Sequence, residues 1–356
     1  MIQGVFDTTQ AAASVAEQTL RLAQPFSDLW PELRGARLFI TGGTGFIGRW
    51  LLETLVLVDE RFDLGLDLCV LSRDPTSFTA RHPVLATARP LRFAVGDVRD
   101  FPFPEDEYSH ILHLAAVAAD TSFHQADPLE QFDIAYQGTR RVLEFTRRCG
   151  ARRLLMTSSG SVYGALPPGV ERTPETFAGA PLPEDLRCAP EHGKRAAEFL
   201  CAYHREKFGL ETVIARCFTL LGPGLPPDIH YAVGNFIRDA LWGDAVIVKG
   251  DGSPVRSYLH VADLLVWLLV MLTRSPSGRV YNVGSDEPVS ILELATRVRD
   301  LLAPEKTLHV LGAHRGSSNR NIYVPDTCRA RMELGLGVWT SLNEAIMQTA
   351  LCASKT

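Results

Sequence analysis

The sequence predicts an α/β protein in which a doubly wound parallel sheet is followed by a smaller mixed lobe. Short apolar segments alternate with longer amphipathic ones between residues 37 and 216. A glycine-rich turn separates the first apolar segment from the first long one, and the chain beyond residue 217 is richer in proline and glycine. Apolar strands that alternate with helices are typical of a parallel sheet covered on both faces.

The elements can be placed in order along the chain. The predicted strands are Arg37–Thr41, Leu66–Leu71, Leu91–Val95, His110–Leu114, Arg153–Thr157 and Glu211–Arg216. The predicted helices between them are Gly45–Asp59, Asp127–Cys149 and Glu191–Phe208, and later ones are Asn235–Trp242, Val261–Leu272 and Ile291–Leu302. Residues 8–24 predict an amphipathic helix, capped by Thr8 or Thr9 and lying outside the domain proper.

We therefore predict three parts. Residues 1–35 form an N-terminal helical extension and linker, residues 36–216 form the sheet domain, and residues 217–356 form mainly a substrate lobe that is interleaved with it. The 356 residues carry a net charge of -5, which gives no electrostatic footprint for nucleic acid. We expect a cytoplasmic protein without membrane segments, because no apolar run reaches the ~18–20 residues that span a bilayer. The seven cysteines and the histidines show no metal-ligand spacing, so no metal is expected.

The strongest local pattern is the run Leu38-Phe-Ile-Thr-Gly-Gly-Thr-Gly-Phe-Ile-Gly48. Here an apolar strand leads into three glycines spaced by two residues each, and a helix follows. Glycines permit the tight turn, the close approach of a pyrophosphate and the tight packing of helix on strand. The helix N-terminus presents free N–H groups to the phosphates. A Rossmann-type dinucleotide site is predicted, with contacts from Gly42, Thr44, Gly45, Phe46, Ile47 and Gly48.

Residues after the next strands extend this cofactor site. The second strand ends in Ser72 and Arg73, a pair that can hold a 2′-phosphate and therefore favours NADP over NAD. Asp74 remains an alternative ligand for the ribose of NAD. Asp97 and Val98 follow the third strand, where a carboxylate can bind the adenine amino group. The fourth strand is followed by the run Leu114, Ala115 and Ala116, whose small residues let the backbone lie against the cofactor.

A series of patterns in order resembles one enzyme family. They include Thr41-Gly-Gly-Thr-Gly-Phe-Ile-Gly48, His113-Leu-Ala-Ala116, Thr157-Ser-Ser-Gly-Ser-Val-Tyr-Gly164, Gly193-Lys-Arg-Ala-Ala-Glu198, Ala215-Arg-Cys-Phe218, Arg256-Ser-Tyr-Leu-His-Val-Ala-Asp263 and Tyr281-Asn-Val-Gly284. Together they resemble the extended short-chain dehydrogenase/reductases, in the branch of nucleotide-sugar epimerases, dehydratases and decarboxylases. The resemblance covers roughly residues 36 to 345. It implies an NAD(P)-dependent enzyme that oxidises a hydroxyl of a nucleotide-diphosphate sugar transiently.

The resemblance also implies a catalytic set of Ser or Thr, Tyr and Lys. Ser159 takes the serine position and Lys194 the lysine position, but the tyrosine expected four residues before the lysine is Pro190. Glu191, His192 and Tyr163 are the alternatives for the missing base. In a helix, Glu191 shares the face of Lys194, whereas His192 points away unless the first turn is distorted.

Other departures bear on the reaction and the substrate. Gly160 and Ser161 stand where 4,6-dehydratases carry Asp-Glu, so an epimerase or a decarboxylase is favoured. The alternatives are a catalytically silent protein that binds nucleotide sugar or dinucleotide, and a dehydratase or reductase of the same superfamily. The residues expected at the substrate are Ser159, Ser161, Tyr163, Thr219, Asn235, Arg256 and Arg315, with Arg320 as an alternative to Arg315. We also expect a homodimer that pairs through helices 127–149 and 191–208.

Overall fold

The computed structural model describes residues 14–116, 127–225, 231–313 and 321–353. Its longer strands are β1 Arg37–Thr41, β2 Asp67–Ser72, β3 Leu91–Val95, β4 His110–His113, β5 Arg153–Ser159 and β6 Glu211–Cys217. Shorter strands follow: β7 Leu220–Leu221, β8 Ala245–Val248, β9 Val255–Arg256, β10 Leu259–His260, β11 Val280–Val283, β12 Val289–Ser290, β13 Thr307–Val310 and β14 Ile322–Tyr323.

One large sheet dominates the described part of the chain. It has seven strands in the order β11-β6-β5-β4-β1-β2-β3, and every pair in it is parallel. The order reverses at β1, which lies between β4 and β2, as in doubly wound sheets. The predicted Rossmann-type α/β fold is therefore confirmed. Smaller sheets of two or three strands join β7 with β10, β8 with β13, and β9 with β12 and β14.

Helices cover the large sheet and build the second lobe. They are α1 Val15–Leu22, α2 Leu29–Glu32, α3 Phe46–Phe62, α4 Pro75–Arg81, α5 Pro83–Ala86, α6 Pro128–Arg148, α7 Ala189–Phe208, α8 Ala232–Trp242, α9 Val261–Arg274, α10 Ile291–Leu302, α11 Cys328–Leu334 and α12 Leu342–Ala353. Within the described ranges, no helix combines the length and the apolar character that crossing a bilayer requires.

The amino-acid pattern explains why the central strands are buried. β1 and β2 are almost uniformly apolar, and their middle residues are fully shielded from solvent. Such strands need cover on both faces, since neither face can be left to water. One face is covered by the buried helix α9 together with α3, whereas α6 and α7 pack together beside the aromatic cluster that surrounds Phe39.

The second lobe and the sheet domain share strands. β11 comes from the chain beyond residue 217, yet it pairs with β6 at the edge of the large sheet. The helix α9 likewise belongs to the same apolar core as β1 and β2. The proposed boundary near residue 216 therefore separates segments of sequence that are interleaved in space.

The N-terminal segment differs from the expectation. The described helix begins at Val15 with Ser14 as its cap, and the predicted caps Thr8 and Thr9 lie outside the described residues. Leu29 and Leu33 are fully buried in the main core. The prediction of a helix outside the domain is thus wrong for residues 14–36, because their apolar side chains fill the space between α3 and α9.

Candidate functional site

The carboxyl edge of the large sheet collects the predicted cofactor residues. Because the strands are parallel, the turns that follow β1, β2, β3 and β4 all lie at this edge. The glycine turn follows β1 at the point where strand order reverses. In open α/β sheets, ligands bind in the crevice at such a point.

The glycine turn is shaped by close contacts that exclude side chains. Gly42 has φ +70°, and a Cβ there would lie 2.6 Å from the backbone nitrogen of Ala115. A Cβ on Gly48 would lie 2.3 Å from the Gly42 carbonyl oxygen, so α3 packs directly on the turn. Gly45, the N-cap of α3, is exposed, and the nearest atom to a Cβ there would be the Gly42 oxygen at 3.4 Å. This open side at a helix N-terminus fits a pyrophosphate.

The rest of the turn lines the same crevice. Thr44, Phe46 and Ile47 are partly buried around the start of α3. After β4, the Leu114 nitrogen donates to the Thr41 carbonyl, and the Ala115 nitrogen donates to the Thr41 hydroxyl at 3.2 Å. Ala116 is exposed beyond them. The two turns are thus fixed to each other, with small side chains towards the crevice.

A cation and a carboxylate lie at the predicted adenosine end of the cofactor site. Arg73 is exposed after β2, and its charge contributes to lowering the pKa of Asp97, so the two side chains are near each other. Hydrogen bonds from Arg99 are the largest cause of that lowering, with Nε at 2.8 Å from Oδ1 and Nη2 at 3.1 Å from Oδ2. Ser72 is buried and accepts from the nitrogen of Asp74.

Two neighbours of this end have structural tasks. The Asp74 carboxylate caps α4 by accepting from the nitrogen of Ser77 at 3.0 Å. The side chain of Val98 packs against Gly138 of α6, where a Cβ would lie 2.9 Å from Val98 Cγ1. Arg99 was missed in the sequence analysis, and its position two residues after Asp97 was the available signal.

Lys194 is the buried cation of the site. Its Nζ donates to the carbonyl oxygen of Thr157 at 2.6 Å, at the end of β5, and the residue is 8% exposed. Burial lowers the pKa of Lys194 to about 8, while the nearby Cys217 and Glu198 oppose that shift. The lysine of α7 is therefore held beside the carboxyl edge of the sheet.

Ser159, two residues after the Thr157 that binds Lys194, lies in a compact turn. The hydroxyl of Ser159 is 2.7 Å from the hydroxyl of Ser161 and accepts from the nitrogen of Ser161. Gly160 between them packs against the ring of Phe218, where a Cβ would lie 2.6 Å away. The structure thus brings Ser159 and Ser161 together at the end of β5.

A buried ion pair fixes α7 against this turn. Glu198, one helical turn after Lys194, accepts from Arg216 Nη2 at 2.5 Å and from the Ser158 hydroxyl at 2.6 Å. Both charged side chains are at most 15% exposed. The four-residue spacing of Glu198 from Lys194 puts both on one face of the helix, but the pairing of Glu198 with Arg216 depends on β6 and was not predicted.

The first turn of α7 holds the alternatives for the missing base. Pro190 is the second residue of the helix. Glu191 is partly buried, and within the described residues its Oε2 is shielded from solvent without a hydrogen-bond partner. His192 is turned away, with Nε2 3.1 Å from the carbonyl oxygen of Leu182. The first turn of α7 thus leaves a buried carboxylate oxygen without a partner among the described residues, and this oxygen could receive a proton.

Tyr163 is engaged elsewhere. It is 2% exposed, and its hydroxyl donates to Oδ1 of Asn282 at 2.8 Å. The guanidinium of Arg216 lies 4.6 Å from its ring centre. Burial raises the pKa of Tyr163, which keeps its phenol protonated. The structure therefore places this tyrosine in a supporting layer below the turn of Ser159.

The remaining predicted substrate residues divide into those that the structure describes and those that lie outside the described residues. Arg256 Nη1 donates to the carbonyls of Val255 and Asn321, both at 2.8 Å, and burial lowers its pKa. Asn235 Oδ1 accepts from Arg238 at 3.1 Å, and the carbonyl of Thr219 accepts from the nitrogen of Leu259. Arg315 and Arg320 lie outside the described residues.

One residue at the site was missed entirely. Tyr323 in β14 has its ring centre 4.6 Å from that of Phe218, and its hydroxyl lies near the Ser159 side chain, which lowers the pKa of the phenol. No local pattern pointed to it. It reaches the site because β14 pairs with β9, which brings together residues far apart in sequence.

A dinucleotide-binding protein with a serine–lysine site is the class that this fold and edge define. A family model for the NAD dependent epimerase/dehydratase family matches residues 38–284. The chain belongs to this family, and the resemblance found in the sequence is confirmed. UDP-glucuronic acid decarboxylase 6 of Arabidopsis thaliana is 30% identical over 317 residues, 87% of this chain and 86% of that protein. UDP-glucuronic acid decarboxylase 1 of Danio rerio is 28% identical and covers 96% of this chain and 79% of its own length.

Solved structures share the fold. A mutant of UDP-glucuronic acid 4-epimerase from Bacillus cereus, in complex with UDP-4-deoxy-4-fluoro-glucuronic acid and NAD, matches with a TM-score of 0.75 and 21% identity, over 90% of this chain and 99% of that one. UDP-glucose 4-epimerase of Thermotoga maritima with UDP-glucose matches with a TM-score of 0.72 and 22% identity, over 90% and 99%. The relatives are enzymes that act on nucleotide sugars, and NAD is bound in one of these matched structures.

Proposed function

We propose that this protein is an NAD-dependent enzyme that oxidises a hydroxyl of a nucleotide-diphosphate sugar transiently, and that its reaction is a decarboxylation of UDP-glucuronic acid rather than an epimerisation. The observation that carries this proposal is the buried Lys194, held at the sheet edge by the carbonyl of Thr157. Burying a lysine is costly, so a place that retains one is a candidate for function. The decarboxylases among the relatives give the choice of reaction.

The cofactor half of the proposal rests on the glycine turn. Gly42, Gly45 and Gly48 fit a pyrophosphate at the N-terminus of α3. Lys194 would hold the nicotinamide ribose, and Asp97 with Ser72 would lie at the adenosine end. The bound NAD would supply the oxidising ring that accepts the electron pair of the sugar C–H bond.

The sugar half rests on the residues around Ser159. The hydroxyls of Ser159 and Ser161 would bind the reacting part of the sugar, and the Oε2 of Glu191 would be the final acceptor for the proton released in the oxidation. Arg256 would bind the diphosphate, since a guanidinium forms paired hydrogen bonds with phosphate oxygens.

The direct test is a product analysis. The purified protein is incubated with NAD and UDP-glucuronic acid, and the nucleotide sugar is examined by mass spectrometry. We expect a product that has lost carbon dioxide, with Glu191→Gln slowing its formation by roughly 100-fold or more. A product of unchanged mass but altered configuration would favour the epimerase. Wild-type rates in both Glu191→Gln and Lys194→Ala would remove α7 from the mechanism.

A second candidate is a protein that binds nucleotide sugar without converting it. Pro190 favours it, because the family tyrosine is absent from that position. Its signature is a rise in melting temperature with UDP-glucuronic acid and NAD while both are recovered unchanged.

The choice between NAD and NADP depends on Arg73. We propose that this exposed guanidinium lets the site accept NADP with an affinity at least equal to that for NAD, because it can pair with a 2′-phosphate. Calorimetric titration of wild type and Arg73→Ala measures this directly. The variant should lose NADP affinity and retain NAD affinity, whereas tighter NAD binding by the wild type would contradict the preference.

A homodimer is also proposed. The helix α7 leaves Phe199 68% exposed and Tyr203 46% exposed on its outer side. Exposed apolar side chains on a long helix are more stable when they are buried against a second copy of that helix than when they face water. Light scattering should give the mass of two chains for the wild type and of one chain for Phe199→Glu.

A further inference from the structure

A tyrosine hydroxyl reaches Ser159 from the second lobe, and we propose that Tyr323 performs the proton transfer of the tyrosine that is absent from position 190. The inference rests on the proposed function, since it concerns the sugar hydroxyl that is oxidised there. It assigns a catalytic role to a residue that the family pattern does not mark. The supporting observations are the placement of β14, the contact with Ser159 and the neighbouring carboxylate.

The placement of Tyr323 is fixed on two sides. β14 pairs in parallel with β9, which sets Tyr323 opposite Arg256. The Arg256 guanidinium lies 5.9 Å from the tyrosine ring centre, and the ring of Phe218 packs at 4.6 Å with an interplanar angle of 36°. The same Phe218 contacts Gly160 in the serine turn. A ring packed in this way holds its hydroxyl in one position.

The hydroxyl of Tyr323 lies among the groups that the reaction needs. The Ser159 side chain and Cys217 both act on the pKa of the Tyr323 hydroxyl, so both lie near it, and Cys217 in turn lies near Lys194. Burial raises the pKa of Tyr323, the Ser159 contact lowers it, and the charge of Glu191 raises it further. The phenol is therefore protonated at neutral pH, which makes it a group that passes a proton on.

Tyr163 is closer to Ser159 in sequence but is not equivalent. Its hydroxyl is committed to Asn282 in the buried layer. Tyr323 instead comes from the lobe that carries Arg256, the proposed diphosphate ligand. A substrate bound between the lobes would therefore meet Tyr323 and Ser159 together.

The proton path balances without a further reagent. The sugar hydroxyl gives its proton to Oη of Tyr323, and the phenolic proton of Tyr323 moves to the Glu191 carboxylate. The sugar carbon loses its hydrogen with the electron pair to the NAD of the proposed function, so a C=O bond replaces the C–H and O–H bonds. On reduction of the product, both transfers run in reverse.

The test compares Tyr323→Phe with Tyr281→Phe. Tyr281 is a buried tyrosine whose hydroxyl bonds Glu333 and Ser275 away from the site. In single-turnover mixing of NAD-loaded protein with UDP-glucuronic acid, we expect Tyr323→Phe to slow NADH formation by at least ~100-fold and Tyr281→Phe to leave it within about threefold. If the wild type forms NADH and Tyr323→Phe keeps its rate, this inference alone is wrong. If the wild type forms none with any nucleotide sugar, the proposed function fails together with it.

A second variant excludes a purely structural effect. Ser159→Ala and the double variant complete a mutant cycle, and groups that act through one hydrogen bond give losses that do not add. Additive losses would contradict a joint role.

A binding experiment tests whether Tyr323 contacts the ligand in the absence of turnover. With fluorotyrosine incorporated at the eight tyrosines, the fluorine resonance missing from Tyr323→Phe identifies Tyr323. We expect that resonance to shift when UDP-glucuronic acid is added in the absence of NAD, and the Tyr281 resonance to stay in place. An unchanged Tyr323 resonance at saturating ligand would overturn the assignment.

Discussion

Individual residues differ from the catalytic set that the family resemblance implies. The lysine and serine of the catalytic set are in place, and the lysine is buried by its own helix and by β5. The tyrosine is absent from its usual position, and the structure offers the Glu191 carboxylate and the Tyr323 phenol instead. In the proposed mechanism, the site keeps the cation and replaces the tyrosine that the family resemblance expects beside it.

The cost of burying Lys194 can be measured. Its pKa is about 8 in the folded protein against an ordinary value of 10.5, so the unfolded chain binds the proton more tightly. The resulting destabilisation is fully present below pH 8 and disappears as the pH rises above about 10.5. Lys194→Met should therefore raise the free energy of unfolding by about 1–3 kcal/mol at pH 7.

Urea titrations of both proteins at pH 7 and near pH 10 check this prediction. The advantage of Lys194→Met should shrink at the higher pH. If the difference in free energy of unfolding between the two proteins did not change with pH, the charge of Lys194 would not destabilise the folded state.

Among the elements, the turn between β1 and α3 is the most tightly determined. Gly42 has a positive φ and Gly48 meets the Gly42 oxygen within the same turn, so the local sequence predicted this turn, its strand and its helix. Tyr323 and the pair Glu198–Arg216 could not be predicted in that way. Their contacts depend on which strands become neighbours, and no spacing along the chain records that β14 will lie beside β9.

The turn makes a specific prediction for Gly48. Gly48→Ala places a methyl group 2.3 Å from the Gly42 oxygen, which must displace the turn from α3. Calorimetry should show NAD affinity reduced by at least about tenfold, because the phosphate-binding N–H groups move with the turn.

The matched control is Gly250→Ala, where a Cβ would have no atom within 4 Å. It should bind NAD as the wild type does. Undiminished NAD binding by Gly48→Ala would exclude the turn as the pyrophosphate site.

At the scale of the whole molecule, the N-terminal segment and the second lobe hold the sheet domain together. Phe26 packs edge-on against Trp339 with ring centres 6.1 Å apart, and Gln18 donates to Thr340 at 3.0 Å. The sequence predicted an amphipathic helix here, but the apolar face of a helix does not reveal which part of the protein packs against it. Only the assembled core shows that residues 14–36 belong inside.

This packing predicts a large effect of a small change at Leu33. Leu33 is fully buried in the main core, so Leu33→Ala should lower the free energy of unfolding by about 2–4 kcal/mol. The exposed Gln24→Ala should change it by less than about 0.5 kcal/mol. Denaturant titration measures both, and equal small effects would mean that the segment is an appendage after all.

The central claim is that the site oxidises a bound sugar although its usual tyrosine is missing. Single-turnover mixing of NAD-loaded protein with UDP-glucuronic acid deuterated at sugar carbon 4, followed by mass spectrometry of the cofactor, tests it most directly. The account predicts that deuterium appears in NADH, and that Tyr323→Phe and Glu191→Gln suppress the transfer. The account would be contradicted if the protein bound both ligands but the NAD were recovered without deuterium and the sugar were recovered unchanged.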